Sequence, residues 1–289
     1  MADHGIGNNE SEQMKPFEFG GPGIEPGNLA GAIDVVVSPS NEIFVTDLEN
    51  RRVQVFNMKG AYLRHFATVV SEDEFDTMLP SNIAIDADCH LWVSGNNVND
   101  TTGYVVQYTK TGRLIRTLHP SFPNNTFDGI AVDLHRNRVI VAENWRDHTE
   151  VKVLLFDGTV VRKFGKLQYN RYWRTSVAID TSGNILVTDW KYGDVNVYNE
   201  AGQYLFSFGG NGMFADPVGG MCVDSSGQVI VSYGHGGWVE LYTEGGVHLR
   251  SIHLVVGNMT SADGVAVGPD GQLVVTNAPD DVVVVLPHY

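Results

Sequence analysis

Short apolar segments alternate with polar turns along the whole chain, and the alternation carries a long period. An apolar triplet returns six times at a step of 44 to 48 residues: Val35-Val36-Val37, Ile83-Ala84-Ile85, Ile130-Ala131-Val132, Val177-Ala178-Ile179, Met221-Cys222-Val223 and Val265-Ala266-Val267. A second triplet follows each after a turn, from Ile43-Phe44-Val45 to Leu273-Val274-Val275. Third strands such as Val53-Gln54-Val55-Phe56 and fourth strands such as Tyr204-Leu205-Phe206-Ser207-Phe208 complete a four-stranded unit. One such unit cannot bury its own apolar face, so the copies must stack. Six all-strand units at this period predict an all-β, six-bladed β-propeller with four antiparallel strands per blade.

The sixth unit ends at Val283-Val284-Val285-Leu286 without a fourth strand, and the N-terminal segment offers a replacement. Phe17-Glu18-Phe19-Gly20-Gly21 repeats the pattern of Phe206-Ser207-Phe208-Gly209-Gly210. The two ends of the chain are therefore expected to share the last blade, closing the ring and covering a sheet edge that would invite aggregation. Residues 16–289 are read as a single propeller domain and residues 1–15 as a disordered tail. The middle residue of the first triplet is small in five units (Ala84, Ala131, Ala178, Cys222, Ala266), which places that strand nearest the axis. Cys222 then reads as a small buried hydrophobe, and a disulfide with Cys89 is not expected.

Composition narrows the partners. With 34 acidic against 19 basic residues the formal charge is −15, which repels a phosphate backbone unless the cations are gathered locally. No secretory signal or membrane-length apolar run is visible, so the chain reads as cytoplasmic, without a membrane partner, and monomeric as an isolated domain. Catalysis finds little support: no His falls in an innermost strand, and there is no nucleophile elbow or phosphate-binding loop. The expectation is a chain that is not an enzyme, with no cofactor and no metal.

Function should then sit where loops vary. In a propeller blade the loop between strands two and three shares a face with the link to the next blade, and the short hairpin turns occupy the other face. On the first face residues 71–76 are strongly acidic, while blades three and four gather aromatic and basic residues. The candidates are Trp145, Arg146, Lys166, Arg171, Tyr172, Trp173, Arg174, Trp190, Lys191 and Tyr192. Trp, Tyr and Arg bury large area and still offer donors, the profile of binding hot spots. The plainer alternative is a solvated loop with an aromatic packed inward. A protein partner of acidic or mixed charge is the favoured ligand; single-stranded or stem-loop RNA, stacking on the same aromatics, is the alternative. A ring at the ends of the second strands (Asp47, Gly95, Glu143, Asp189, Tyr233, Asn277) could hold a cation, but loop anchoring, with Asp47 paired to Arg51 or Arg52, is preferred.

Residues 43–60, with Val45-Thr46-Asp47 and Asn50-Arg51-Arg52-Val53-Gln54-Val55-Phe56 at their centre, closely resemble an NHL repeat, and residues 185–204 follow the same pattern. The 16–289 span is similar to the C-terminal six-bladed NHL domain of tripartite-motif (TRIM-NHL) proteins, nearest the TRIM2/TRIM3 type. The resemblance implies a recognition domain, whose partner in such proteins can be a ubiquitination substrate. The chain has no zinc-ligand cysteine array, so it cannot itself supply the RING activity of those E3 ubiquitin ligases. The third-strand Arg is absent from blades five and six, where loop anchoring must differ.

Overall fold

The computed structural model describes residues 15–73, 75–99, 102–118, 125–145, 147–168, 175–189, 192–210, 218–257 and 259–289. The expected disordered tail over residues 1–15 falls, apart from Lys15, outside the described residues. The 24 strands of the described residues form six four-stranded antiparallel sheets, the blades of a propeller. Blades one to five span 32–67, 79–118, 126–168, 177–209 and 218–253. Blade six takes three strands from 265–286 and its outer strand from Phe17–Gly20, with Phe17 opposite Val285 and Phe19 opposite Val283. The two ends of the chain thus close the ring in one sheet, as the repeated Phe-x-Phe-Gly-Gly pattern implied.

Alternation within a strand decides what each blade buries. Successive side chains point to opposite faces of the sheet, and both faces of a blade are covered by neighbours. The core is therefore not central; it is divided into six clusters, each lying between adjacent blades. Between blades six and one, Val274, Val283 and Val285 meet Val45 and Phe56, all essentially buried. Each such side chain contributes about 1.5–3 kcal/mol by leaving water, so every blade is held chiefly by the next one.

A recurrent aromatic clasp reinforces these seams. An aromatic residue of one outer strand packs on the ring that ends the next blade's third strand: Phe19 on Phe56 at 4.7 Å, Phe66 on Tyr108 at 5.5 Å, Phe164 on Tyr198 at 5.0 Å and Phe208 on Tyr242 at 5.0 Å. The following turn must leave room. A Cβ on Gly202, whose φ is +74°, would stand 2.7 Å from the Phe164 ring, so only glycine fits.

Hydroxyls near the ends of the second strands tie blade to blade around the axis. The pairing of first and second strands skips two residues in blades one, two, three and five, leaving backbone groups unpaired at the bulge. In blade one the Thr46 hydroxyl accepts from Asp34 N (2.9 Å) and donates to the Ser81 carbonyl of blade two (3.0 Å). Ser94 reaches the Asp128 carbonyl and Ser232 the Asp263 carbonyl in the same way. Thr276 joins blade six to the Ile33 carbonyl of blade one at 2.9 Å, whereas Thr188 of blade four bonds Ser176 of its own blade. Blade three has Ala142 at this position and so lacks the hydroxyl. Among the described residues no helix is long and apolar enough to cross a membrane.

Candidate functional site

At the loop-rich face each second strand ends opposite the start of the third, and these cross-strand pairs set how the loops are held. Blade one pairs Asp47 with Arg52, blade two Gly95 with Tyr104, blade three Glu143 with Glu150 and blade four Asp189 with Asp194. Blades five and six pair Tyr233 with Trp238 and Asn277 with Val282.

Asp47 is the anchor the sequence suggested. Its fully buried carboxylate takes Arg52 Nε at 2.6 Å, Asn50 Nδ2 at 2.9 Å, Gln54 Nε2 at 3.0 Å and the Ala30 backbone N–H at 2.7 Å. Arg52, not Arg51, is the partner; Arg51 turns the chain at φ 52°. Arg52 Nη2 donates to the Asn28 carbonyl, so the blade six-to-one link is tied to the same charge pair.

Blades three and four break this pattern. Glu143 has no Arg across the ladder; Lys152, two positions further along the third strand, places Nζ 2.6 Å from Glu143 Oε1 with both side chains buried. The contact is close but poorly aligned for a hydrogen bond. In blade four Asp194 stands where blade one has Arg52 and faces another carboxylate. Burial, and then the Asp189 charge, raises the Asp194 pKa above the ordinary aspartate value.

Of the ten candidate site residues, Trp145, Lys166 and Tyr192 are described; Arg146, Arg171, Tyr172, Trp173, Arg174, Trp190 and Lys191 lie outside the described residues. All three described residues are at the loop-rich face. Trp145 and His148 close the strand two-to-three loop of blade three, with the Trp145 N–H donating to the His148 carbonyl at 2.8 Å. Their rings stack at 5.7 Å with planes 4° apart. His148 Nδ1 meets Asp147 at 2.8 Å, and that bond, with the nearby Lys166 charge, holds the Asp147 carboxyl below its usual range. Lys166 is exposed and sits opposite Glu150 on the outer strand. Trp145, Asp147, His148 and Lys166 thus form one local group. Tyr192 is 58% exposed on the corresponding loop of blade four.

Three further residues at this face escaped the sequence reading. The most exposed large apolar side chains among the described residues are Phe75 (85%), Val255 (78%) and Ile24 (74%), each on a link between blades. For Phe75, in Glu74-Phe75-Asp76, the available signal was a lone apolar residue inside a polar link; Val255, within Leu254-Val255-Val256, carries no such signal. Val98 joins them on the blade two loop.

The opposite end of the axis holds a cavity of about 950 Å³, walled by the small and branched residues of the first strands and bordered by Cys222. Burial, with Asp224 and Asp34 nearby, pushes the Cys222 thiol pKa well up, so it stays protonated and unreactive. Asp86, Asp88 and His90 place possible metal-ligating atoms close together in a hairpin turn. The Asp86 oxygens already accept from the N–H groups of Asp88 and His90, from Trp92 Nε1 and from Gln107 Nε2. That arrangement builds the turn and seats the buried Trp92.

Residues 29–56, the first three strands of blade one and the link before them, match the NHL repeat family. The chain is similar to Protein brain tumor of Drosophila melanogaster, 26% identical over 153 residues, which cover 51% of this chain and 14% of that protein. The chain thus matches only a small part of that relative's length. Among solved structures, virginiamycin B lyase from Staphylococcus aureus superposes with a TM-score of 0.62 at 14% identity, covering 91% of this chain and 82% of the lyase. A gluconolactonase from Xanthomonas campestris gives 0.67 at 16% identity, covering 90% and 86%. These identities show the fold alone, yet they overturn the expectation that the chain is not an enzyme. Propellers of this build carry catalysts, so lacking a familiar motif is no ground for excluding one.

Proposed function

We propose that the loop-rich face binds a polypeptide partner, with its centre over blades three and four. The observation that carries this reading is the group on the blade three and four loops, where the Trp145–His148 stack lies beside exposed Lys166 and Tyr192 is 58% exposed; Ile24, Phe75, Val98 and Val255 add exposed apolar side chains on other loops and links of the same face. Exposed apolar residues rimmed by polar ones mark interaction surfaces. The stacked Trp145–His148 pair and exposed Lys166 add an aromatic and a positive contact on a chain of net charge −15, which suits an acidic or mixed-charge segment. The resemblance to TRIM-NHL propellers, and the partial similarity to Protein brain tumor, support recognition of a macromolecule and point to a ubiquitination substrate as one class of partner. Residues 16–289 would act as one recognition domain, with Arg171, Tyr172, Trp173, Arg174, Trp190, Lys191 and Arg146 extending the surface.

The test is crosslinking in cells with separate protein and RNA readouts, comparing the wild type with a Trp173→Ala/Arg174→Ala variant and with Tyr192→Ala. A captured polypeptide that both variants lose supports the reading. RNA crosslinks with a steep salt dependence and no captured polypeptide would replace it with RNA recognition.

A further inference from the structure

A second concave site lies away from this face, in a cleft of about 450 Å³ between the outer strand of blade four and the sheet of blade five. Its floor is Glu240, mid-way along the third strand and only 3% exposed. Glu240 Oε2 is occupied: His248 Nε2 lies 2.5 Å away and the Ser251 hydroxyl donates to it at 2.7 Å. Both partners meet the same oxygen, and Ser251 also approaches that same imidazole nitrogen at 3.4 Å, so the trio is not a proton relay. Glu240 Oε1 is buried and accepts no hydrogen bond among the described residues. Phe208, Tyr233 and Tyr242 wall the cleft.

Blade one shows what this position looks like when filled. Gln54 matches Glu240 in the ladder, facing His65 as Glu240 faces Ser251. Its amide is satisfied at both ends: Gly27 N donates to Oε1 at 3.0 Å, and Nε2 donates to Asp47 and to the Asn28 carbonyl. Blade five replaces that neutral amide with a carboxylate and leaves one buried oxygen without a donor.

We propose that this cleft binds a primary ammonium group, as a free alkylamine or a lysine side chain. A buried carboxylate oxygen without a donor is costly until a donor arrives, and an ionised donor makes the stronger bond. Aromatic walls favour a cation over a neutral alcohol. A guanidinium would need both oxygens for its paired geometry, whereas one undonated oxygen suits the point charge of an ammonium.

The test is a titration followed by ¹H–¹⁵N correlation spectra, using n-butylammonium, 1-butanol, and lysine blocked at both backbone ends. Saturable shifts at the amides of Glu240, Tyr242 and Ser251 are expected with both amines, weakened at least tenfold in Glu240→Gln, and not with butanol. Gln already occupies this register position in blade one (Gln54), so the variant is expected to fold. Ser251→Trp, on the exposed outer strand, closes the mouth and should abolish binding independently. Tighter binding of the blocked lysine than of butylammonium identifies a polypeptide source; equal binding identifies a free amine. Absence of saturable shifts with either amine, an equal response to butanol, or undiminished binding in Glu240→Gln overturns the proposal.

Discussion

Blades one and three use equivalent positions in opposite ways. Blade one reads Thr46-Asp47 at the end of its second strand, with Arg52 opposite and Gln54 two residues on; blade three reads Ala142-Glu143, with Glu150 and Lys152. In blade one the hydroxyl ties the bulge to blade two, and the acid ties its own loop and the preceding link through Arg52. In blade three the hydroxyl is gone and the acid turns to Lys152, deeper in the blade. Glu150 is left to the outer strand, 3.9 Å from Lys163 and opposite Lys166. The propeller therefore stays closed where its ends meet, while the charges nearest the blade three loop are directed towards the surface. The same backbone thus supports a locked edge and an available one.

The sharpest way to break this comparison is to remove one acid from each blade. Asp47→Ala leaves the buried Arg52 uncompensated and is expected to cost about 3–5 kcal/mol, read as a large fall in the urea midpoint. Glu150→Ala, with its partner at 3.9 Å and partly exposed, is expected to cost less than about 1 kcal/mol. Equal losses would mean that the two blades are anchored alike.

Ring closure is the next largest effect. Phe19→Ala opens the clasp on Phe56 and uncovers the blade six edge. A loss of about 2–3 kcal/mol is expected, below the range for a fully buried ring because Phe19 is only half-buried. Deleting residues 1–20 should lower the melting temperature further and promote association; deleting 1–12 should change neither.

The interblade hydroxyls come third. Thr276→Val removes two side-chain hydrogen bonds, but the Gly264 N–H still donates to the Ile33 carbonyl at 3.0 Å, so a cost of about 0.5–1.5 kcal/mol is expected. Ala142→Ser should be neutral or slightly stabilising, and a penalty as large as that of Thr276→Val would show that blade three has no room for the hydroxyl.

Smallest is the repulsion in blade four. Asp194 titrates above its unfolded value, so it holds its proton more tightly when folded and its ionisation costs stability. That cost is absent at low pH, grows as pH rises between the ordinary aspartate range and the raised value, and is complete above it. Asp194→Asn should therefore melt about 0.5–1 °C higher than wild type near pH 7, a gain well under 1 kcal/mol after solvent screening. The gap should close as pH falls towards 4.

Much of this fold was legible because strand alternation and a long repeat are properties of the chain itself. The Phe-x-Phe-Gly-Gly echo was enough to find the latch, and the small residues of the first strands located the axis. The Asp47 anchor was legible too, though not which arginine serves it, since that depends on Arg51 adopting a left-handed turn. What stayed hidden arises between blades. The Thr and Ser hydroxyls bond to residues 31 to 243 positions away, and no local pattern announces such a partner. The Glu240 cleft was invisible for the same reason, being half built by Phe208 and Gly210 of the preceding blade. Phe75, Val255 and Ile24 look unremarkable in sequence because exposure belongs to the folded surface. The catalytic question was misjudged by treating missing motifs as evidence, although this fold carries catalysts.

The claim that blades three and four present the binding surface is tested most directly by the affinity of the captured polypeptide for matched surface variants. Lys166→Glu/Tyr192→Ala alters the loop-rich face, and Val247→Ala alters an exposed turn on the opposite side of blade five. At least a tenfold loss for the first, with unchanged affinity for the second and unchanged melting temperature for both, is the expected result. Equal affinity for wild type and the Lys166→Glu/Tyr192→Ala variant would contradict the account and move the site away from blades three and four.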